Sequence, residues 1–353
     1  MKILFISNKY DYGKPELGLS YEYSSFCKSL ERMNNSQHKV LFFPLDEIIK
    51  KKGIKKLNEE LLDIVFKQRP DLVFVSTGGG AIEREVIKKI SQQKGITILN
   101  WFMDDHWKFY NYSRHWGPLY NWITTTDPLV IEKYRKIGYQ NALFNPQACN
   151  VFLYKPLNLP KVYDITFIGR PHGNRKEIIN KLKKKGIKVK CFGEGWPNGH
   201  ISQEEMIKIF SQSKINLNFT RSSGVLWKQI GLIFLYRKFD RSLGLNSPLK
   251  WYENFQVLLA QKRKQIKGRI FEIAGCGGFL LTEYTERIED FYKIGEEIEC
   301  FYNFGELIEK INYYLTHDKE RESIAKAGYE RTIRDHTYEK RFNHIFKQIG
   351  LIK

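Results

Sequence analysis

The sequence predicts an α/β fold of two doubly wound, Rossmann-like domains, and three observations predict it. The chain has 353 residues, more than one hydrophobic core usually supports, so about two domains are expected. Short β-branched and aromatic runs alternate with longer segments of helical period, the pattern of parallel strands joined by crossover helices. The alternation pauses at a proline-punctuated stretch, residues 155–160, and then restarts.

In the first half, Lys2–Ser7 reads as a strand, residues 19–33 as a helix with Leu19, Tyr23, Phe26, Cys27 and Leu30 on one face, and residues 38–43 as the second strand. Residues 57–67 are helical and stop before Pro70, residues 71–76 form an apolar strand, and Gly78-Gly79-Gly80 turns into a helix ending near Lys94. Thr97–Phe102 and Trp122–Thr125 are the next strands; Asp127 caps a helix with Pro128 at its first position, and residues 141–148 run extended. In the second half, residues 164–168, 189–192, 215–219, 279–282 and 298–302 read as strands. Helices cover 175–185, the stretch after the Ser202-Gln203-Glu204-Glu205 capping box, Gly268–Gly275 and 306–315. The expected domains are 1–156 and 157–335, the second with a basic and apolar insertion at about 221–267, followed by a C-terminal helix at 336–353.

The composition, 42% apolar, 14% aromatic and 27% charged, excludes a disordered chain. Lys and Arg number 58 against 39 Asp and Glu, a net charge of +19 that favours an anionic partner such as phosphate, nucleic acid or an anionic membrane surface. The five cysteines are widely spaced, without a CxxC or Cys/His metal pattern, and are read as reduced, buried thiols with no metal site. The chain opens directly on a strand, and its longest uncharged apolar run, 229–236, is far below the roughly 18–20 residues that span a bilayer. A cytoplasmic protein is expected, in solution or peripheral to a membrane.

Parallel open sheets bind ligands beyond the carboxyl ends of their strands, so the residues that follow each strand are the informative ones. After the first strand of the second domain comes Gly169-Arg170-Pro171-His172-Gly173-Asn174-Arg175-Lys176, a turn opening a helix. It suits a diphosphate neutralised by Arg170 with Arg175 or Lys176, or it is an ordinary solvated turn. After the fourth strand comes Trp101-Phe102-Met103-Asp104-Asp105-His106-Trp107, a set able to deprotonate a hydroxyl at Asp104, Asp105 or His106 and to stack a sugar or base on Trp101 or Trp107. The alternative is one aspartate capping a turn and the other facing solvent. A metal at Asp104 and Asp105 is disfavoured because strand neighbours point to opposite faces. Asn8, Tyr10, Gly18 and Gly79 lie at the same end of the first sheet as acceptor contacts, although a glycine run is also a plain tight turn.

Residues 246–269 carry six cations, Lys250, Lys262, Arg263, Lys264, Lys267 and Arg269, against Glu253, interleaved with Trp251, Tyr252 and Phe255. Just upstream, Val225, Leu226, Trp227, Ile230, Ile233 and Phe234 have helical spacing. This surface fits an anionic membrane or a nucleic-acid backbone, or a lid with a solvated charged face.

The stretch KGRIFEIAGCGGFLLTEY, 267–284, resembles the donor-binding signature of GT-B glycosyltransferases, in particular the CgeB-like, spore-maturation-type family. FGEGWPNGHIS (192–202), SKINLNF (213–219) and GYERTIRDHTYEKR (328–341) are also similar to it. The resemblance implies a GT-B fold, two Rossmann-like domains facing a cleft with the C-terminal helix crossing back to the first. It implies transfer of a sugar from a nucleotide-diphospho-sugar, UDP-sugar favoured, to a hydroxyl acceptor without metal or other cofactor. Glu272 would bind the ribose, Gly277 and Gly278 would approach the sugar or phosphates, and Arg170 and Lys176 would hold the diphosphate. Gly169, Arg175, Trp196, Lys267 and Arg269 complete the donor set. Inverting GT-B enzymes, phage DNA glucosyltransferases among them, place an aspartate at a comparable strand end, which nominates Asp104 before Asp105 and His106. Retaining enzymes carry a glutamate eight positions before the one matching Glu272; here that residue is Lys264. The acceptor is open among a glycan, a lipid-linked sugar, a small molecule and modified DNA, the last making the protein a DNA-modifying glucosyltransferase. A non-catalytic binding module on the same scaffold is the remaining alternative.

Overall fold

A computed structural model describes residues 1–33, 37–77, 80–221, 230–231, 233–237 and 243–353. They form two compact units: Met1–Pro146 with Gln229–Gln261 and Tyr338–Lys353, and Gln147–Lys228 with Lys262–Thr337.

The first unit is built on a six-stranded sheet of β1 (Lys2–Ser7), β2 (Lys39–Pro44), β3 (Leu72–Val75), β4 (Thr97–Phe102), β5 (Trp122–Thr125) and β6 (Ala142–Phe144), in the order β2-β1-β3-β4-β5-β6. Every neighbouring pair is parallel. A parallel sheet is covered on both faces, which is why β1 reads Ile3-Leu4-Phe5-Ile6 without alternation and all four are fully buried. Leu4, Ile6, Val73, Val75 and Ile98 pack on one side with Leu57, Leu61 and Ile90. On the other, Trp101 lies 4.6 Å from Phe26 and 6.1 Å from Phe342, ring to ring. Phe342 comes from the helix Tyr338–Gln348, whose Tyr338 hydroxyl meets that of Tyr21 at 2.6 Å.

The second unit has β7 (Tyr163–Ile168), β8 (Lys190–Phe192), β9 (Ser213–Asn218), β12 (Leu280–Glu283) and β13 (Glu299–Phe301), all parallel, in the order β13-β12-β9-β7-β8. Two short antiparallel strands, β10 (Leu235–Arg237) and β11 (Leu243–Leu245), lie between β9 and β12 in the chain. The capping box at Ser202 is formed, with Glu205 N–H donating to Ser202 Oγ at 3.1 Å and Ser202 N–H to Glu205 Oε2 at 2.8 Å.

Three elements differ from the sequence expectation. The helix at 19–33 is π-wound over Glu22–Cys27 before the α-helix Lys28–Arg32, which shifts its side chains out of a 3.6-residue period. The helix expected at 57–67 is the second part of Leu45–Gln68, bent at Gly53; the lysine-rich first part hides its own apolar face. The helix Pro248–Gln261, expected within the second domain, groups with the first unit, where buried Glu253 pairs with Arg114 at 2.5 Å. Val225, Leu226 and Trp227 lie outside the described residues.

Candidate active site

At the carboxyl edge of the second sheet, the loops after β7 and β8 lock together. Trp196 donates its indole N–H to Gly169 O at 2.7 Å, and Arg170 pairs with Glu194 at 2.6 Å. Gly193 is needed there, because a Cβ on it would stand 2.8 Å from Gly169 O. Arg175 donates to the carbonyls of Arg170, Phe219 and Arg221 at 3.0, 3.1 and 3.1 Å. Burial, and then the charge of Arg269, push its pKa down to about 10. Its guanidinium ties the ends of β7 and β9, while Lys176 stands exposed beside it. His172 marks where the cations meet: after burial, the charges of Arg175, Arg170 and Lys267 hold its imidazole below the ordinary range.

The helix Gly268–Gly275 begins at this edge and carries Arg269, whose Nη1 lies 2.7 Å from Glu272 Oε2. Glu272 is 3% exposed, so the carboxylate expected at the ribose is buried and held by Arg269. Lys264, at the place of the absent glutamate, pairs with Glu283 Oε1 at 3.2 Å and donates to Tyr284 O at 3.0 Å. Glu283 ends β12 and accepts from the Thr220 N–H at 3.2 Å and hydroxyl at 3.0 Å. Sequence reasoning gave no role to Glu283, Glu194 or His172, which lie one, two and four residues beyond predicted strands.

Gly277 and Gly278 are placed elsewhere. They precede β12 and therefore lie at the amino edge of the parallel sheet, away from the loops after β7, β8 and β9. Gly277, at φ 66°, closes the helix Gly268–Gly275 with its N–H bonded to Ala274 O. A Cβ on Gly278 would meet Asn216 Nδ2 at 2.8 Å. Helix termination and tight packing account for both glycines.

The carboxyl edge of the first sheet holds a cavity of about 140 Å3, lined among others by Glu22, Ser76, Trp101, Asp104, Asp105 and Lys108. The Asp104 carboxylate is about half exposed and pairs with Lys108 at 3.1 Å. Asp105 is buried, accepts from the Tyr134 hydroxyl at 3.0 Å, and is pushed up to about 7 mainly by loss of water. Glu22, half-buried, is likewise raised to about 7, first by burial and then by the charges of Asp11 and Asp104.

Of the acceptor set, Trp101 is 1% exposed with its ring in the aromatic core, so little of it is left to stack a sugar. His106 is buried and Trp107 carries Lys108 Nζ 4.8 Å from its ring centre. Tyr10 N–H bonds Asp46 Oδ2 at 2.9 Å and Asn8 O accepts from Ser20 at 2.6 Å, while Gly18 sits in an exposed turn. Asn8, Tyr10, Gly18, His106 and Trp107 are not among the described residues lining the cavity. Gly79 lies outside the described residues. Glu22 had a sequence signal: with Leu19, Tyr23, Phe26, Cys27 and Leu30 it completes the apolar spacing, so an acid occupies a core-facing register. Among the described residues, no three His, Cys, Asp or Glu side chains gather to hold a metal ion, and no helix is long and apolar enough to cross a membrane. The five cysteines are buried thiols.

Solved structures share this architecture. Sucrose-phosphate synthase (tll1590) from Thermosynechococcus elongatus matches with a TM-score of 0.63 at 12% identity, over 99% of each chain. Anabaena Alr3699/HepE, solved in complex with UDP and glucose, matches with a TM-score of 0.60 at 11% identity over 100% of each chain. The two parallel sheets thus define a GT-B-like glycosyltransferase fold. Residues 174–347 match the family described as glycosyl transferase-like. Over 249 residues the chain is 24% identical to the spore protein CgeB of Bacillus subtilis (strain 168), covering 70% of this chain and 73% of that one. The chain is thus similar to glycosyl transferase-like proteins over 174–347 and to the spore protein CgeB over most of its length.

Proposed function

We propose that the protein moves a sugar from a UDP-sugar to a hydroxyl acceptor, with no metal ion in the reaction. The observation that carries this reading is the convergence of Arg170, Arg175 and Lys267 on His172 at the carboxyl edge of the second sheet. A pyrophosphate leaving with an extra electron pair needs such charge, and a fixed cationic edge stabilises it without a divalent ion. Arg170 and Lys267 meet the phosphates, with Lys176 beside them; Arg175 braces the turn, and Glu272, oriented by Arg269, serves the ribose. Alr3699/HepE was solved with UDP-glucose, which supports uridine as the base to try first. The acceptor hydroxyl enters the cavity of the first unit beside Asp104.

Titration calorimetry of the full chain with UDP and UDP-glucose tests this. Saturable binding that weakens as salt rises, together with release of UDP from UDP-glucose, is expected. Binding without release would leave a non-catalytic donor-binding protein, and no binding by any nucleotide-sugar would end the reading.

The partner surface is the outward face of the helix Pro248–Gln261. Leu249, Tyr252, Phe255 and Leu259 are 70, 60, 46 and 44% exposed, with Lys250 and Lys262 exposed nearby, while the acid of this helix, Glu253, is turned inward against Arg114. Exposed leucines beside aromatic rings and lysines are the composition of a face that enters a lipid interface, which favours an anionic lipid surface over nucleic acid. Flotation with phosphatidylglycerol vesicles, and none with phosphatidylcholine vesicles, is the expected result.

A further inference from the structure

We infer that Glu22 is the catalytic residue that takes the proton from the incoming hydroxyl, with Asp104 beside it as a charged neighbour. The inference rests on the transferase reading and deepens it on the acceptor side.

Geometry comes first. Glu22 and Asp104 line one cavity, and two buried polar groups line it with them. The residues Ser76 and Trp101 are 2% and 1% exposed, and neither Ser76 Oγ nor Trp101 Nε1 has a hydrogen-bond partner among the described residues. Ser76 Oγ and Trp101 Nε1 are sealed from the cavity by this burial, so the carboxyl groups that can meet a ligand there are the partly exposed ones, Glu22 and Asp104. A hydroxyl can donate to one group and accept from another. The surrounding charge selects its chemistry. Asp11 and Asp104 both act on Glu22, Asp105 stands on the same wall, and Lys108 is committed to Asp104. Such a pocket repels a phosphate or carboxylate and admits an uncharged hydroxyl.

The two carboxyl groups then divide the work. Asp104 is solvated and ion-paired. Glu22 loses water to burial, and the hydrogen bond from Ser20 and that from its own backbone do not offset this. A base poised near neutrality accepts a proton best at physiological pH, and environments that separate two carboxyl groups assign their roles. In the step, the acceptor oxygen bonds to the anomeric carbon as its proton passes to Glu22. The bond from that carbon to the phosphate oxygen breaks, and its electron pair leaves on the nucleoside diphosphate. Solvent then takes the proton from Glu22.

The test uses the full chain and UDP-glucose, with water standing in for the acceptor. For the natural sequence the hydrolysis rate should climb along a limb near pH 7 and level off above it. In Glu22→Gln the limb should vanish and the rate fall 100-fold or more, with UDP affinity by calorimetry unchanged. In Asp104→Asn the limb should persist but move to lower pH, because a like charge has been removed. Glu22→Asp, which keeps the carboxyl group one carbon back, should slow hydrolysis and retain a limb, and it serves if the glutamine variant does not fold. A Glu22→Gln protein with the natural rate and limb overturns the inference. UDP binding without hydrolysis at any pH also overturns it while the donor site stands, whereas failure to bind UDP removes the transferase reading itself.

Discussion

The carboxyl edges of the two sheets are built from the same parallel-strand geometry and carry opposite electrostatics. At the edge of the second unit, burial and then neighbouring cations hold His172 and Arg175 below their ordinary values. At the edge of the first, burial raises Glu22 and Asp105 both to about 7, with the charges of Asp11 and Asp104 adding to the shift of Glu22. Like-charge crowding costs stability and persists where a ligand of suitable charge relieves it or a reaction uses it. On the proposed function, the edge of the second unit receives an anion and that of the first a neutral hydroxyl that loses a proton.

The sharpest way to break this contrast is to discharge the cationic edge. Arg170→Ala combined with Lys267→Ala should weaken UDP binding by about 3–6 kcal/mol, the loss of two charge-assisted contacts, whereas substitutions in the first unit's cavity should leave UDP affinity alone. Calorimetry on both sets checks it, and a cavity variant that loses UDP would show that the edges are not independent.

A second prediction sharpens the acidic side. The Asp105 carboxyl is raised from 3.8 to about 7, so the folded chain keeps a proton that the unfolded chain has released. Its contribution to stability is complete below about pH 4 and is lost as pH rises through 7. Asparagine cannot ionise, so Asp105→Asn should gain about 1–3 kcal/mol relative to the natural sequence between pH 5 and pH 8. Denaturant midpoints at the two pH values measure it, and a difference independent of pH would mean that Asp105 carries no ionisation penalty.

The smallest effect separates the carboxyl edge of the second sheet from its amino edge. Gly277→Ala should cost about 1–2 kcal/mol of stability, the strain of a left-handed residue with a Cβ, and leave UDP affinity unchanged. Weaker UDP binding in a folded Gly277→Ala protein would return this glycine to the donor.

The strands were the most legible part of the chain, because a sheet buried on both faces writes itself as an unbroken apolar run such as Ile3-Leu4-Phe5-Ile6. The turn after β7 was legible as a local structure: Gly169, Arg170 and Trp196 were singled out by strand-end position and resemblance, and Trp196 bonds Gly169. Three features were hidden for physical reasons. Spacing marks Glu22 only as an acid in a core-facing register; that it shares a cavity with Asp104 depends on the π-wound turn and on segments far apart in the chain, which spacing does not carry. Gly277 and Gly278 belong to a recognisable stretch, but the direction of β12 decides which edge they occupy, and a local pattern does not carry that. The helix Pro248–Gln261 joins the first unit through its buried Glu253 and Arg114 pair, a contact between residues 139 apart in the chain that no local composition signals.

The helix Tyr338–Gln348 brings a consequence for how the protein is made. A ribosome finishes β1, β3 and β4 long before it reaches Phe342, so the aromatic face of Phe26, Phe74 and Trp101 stays uncovered while the whole second unit is being synthesised. The amino-terminal half therefore ripens last, and in the interval it offers an uncovered aromatic surface to chaperones and to other unfinished copies.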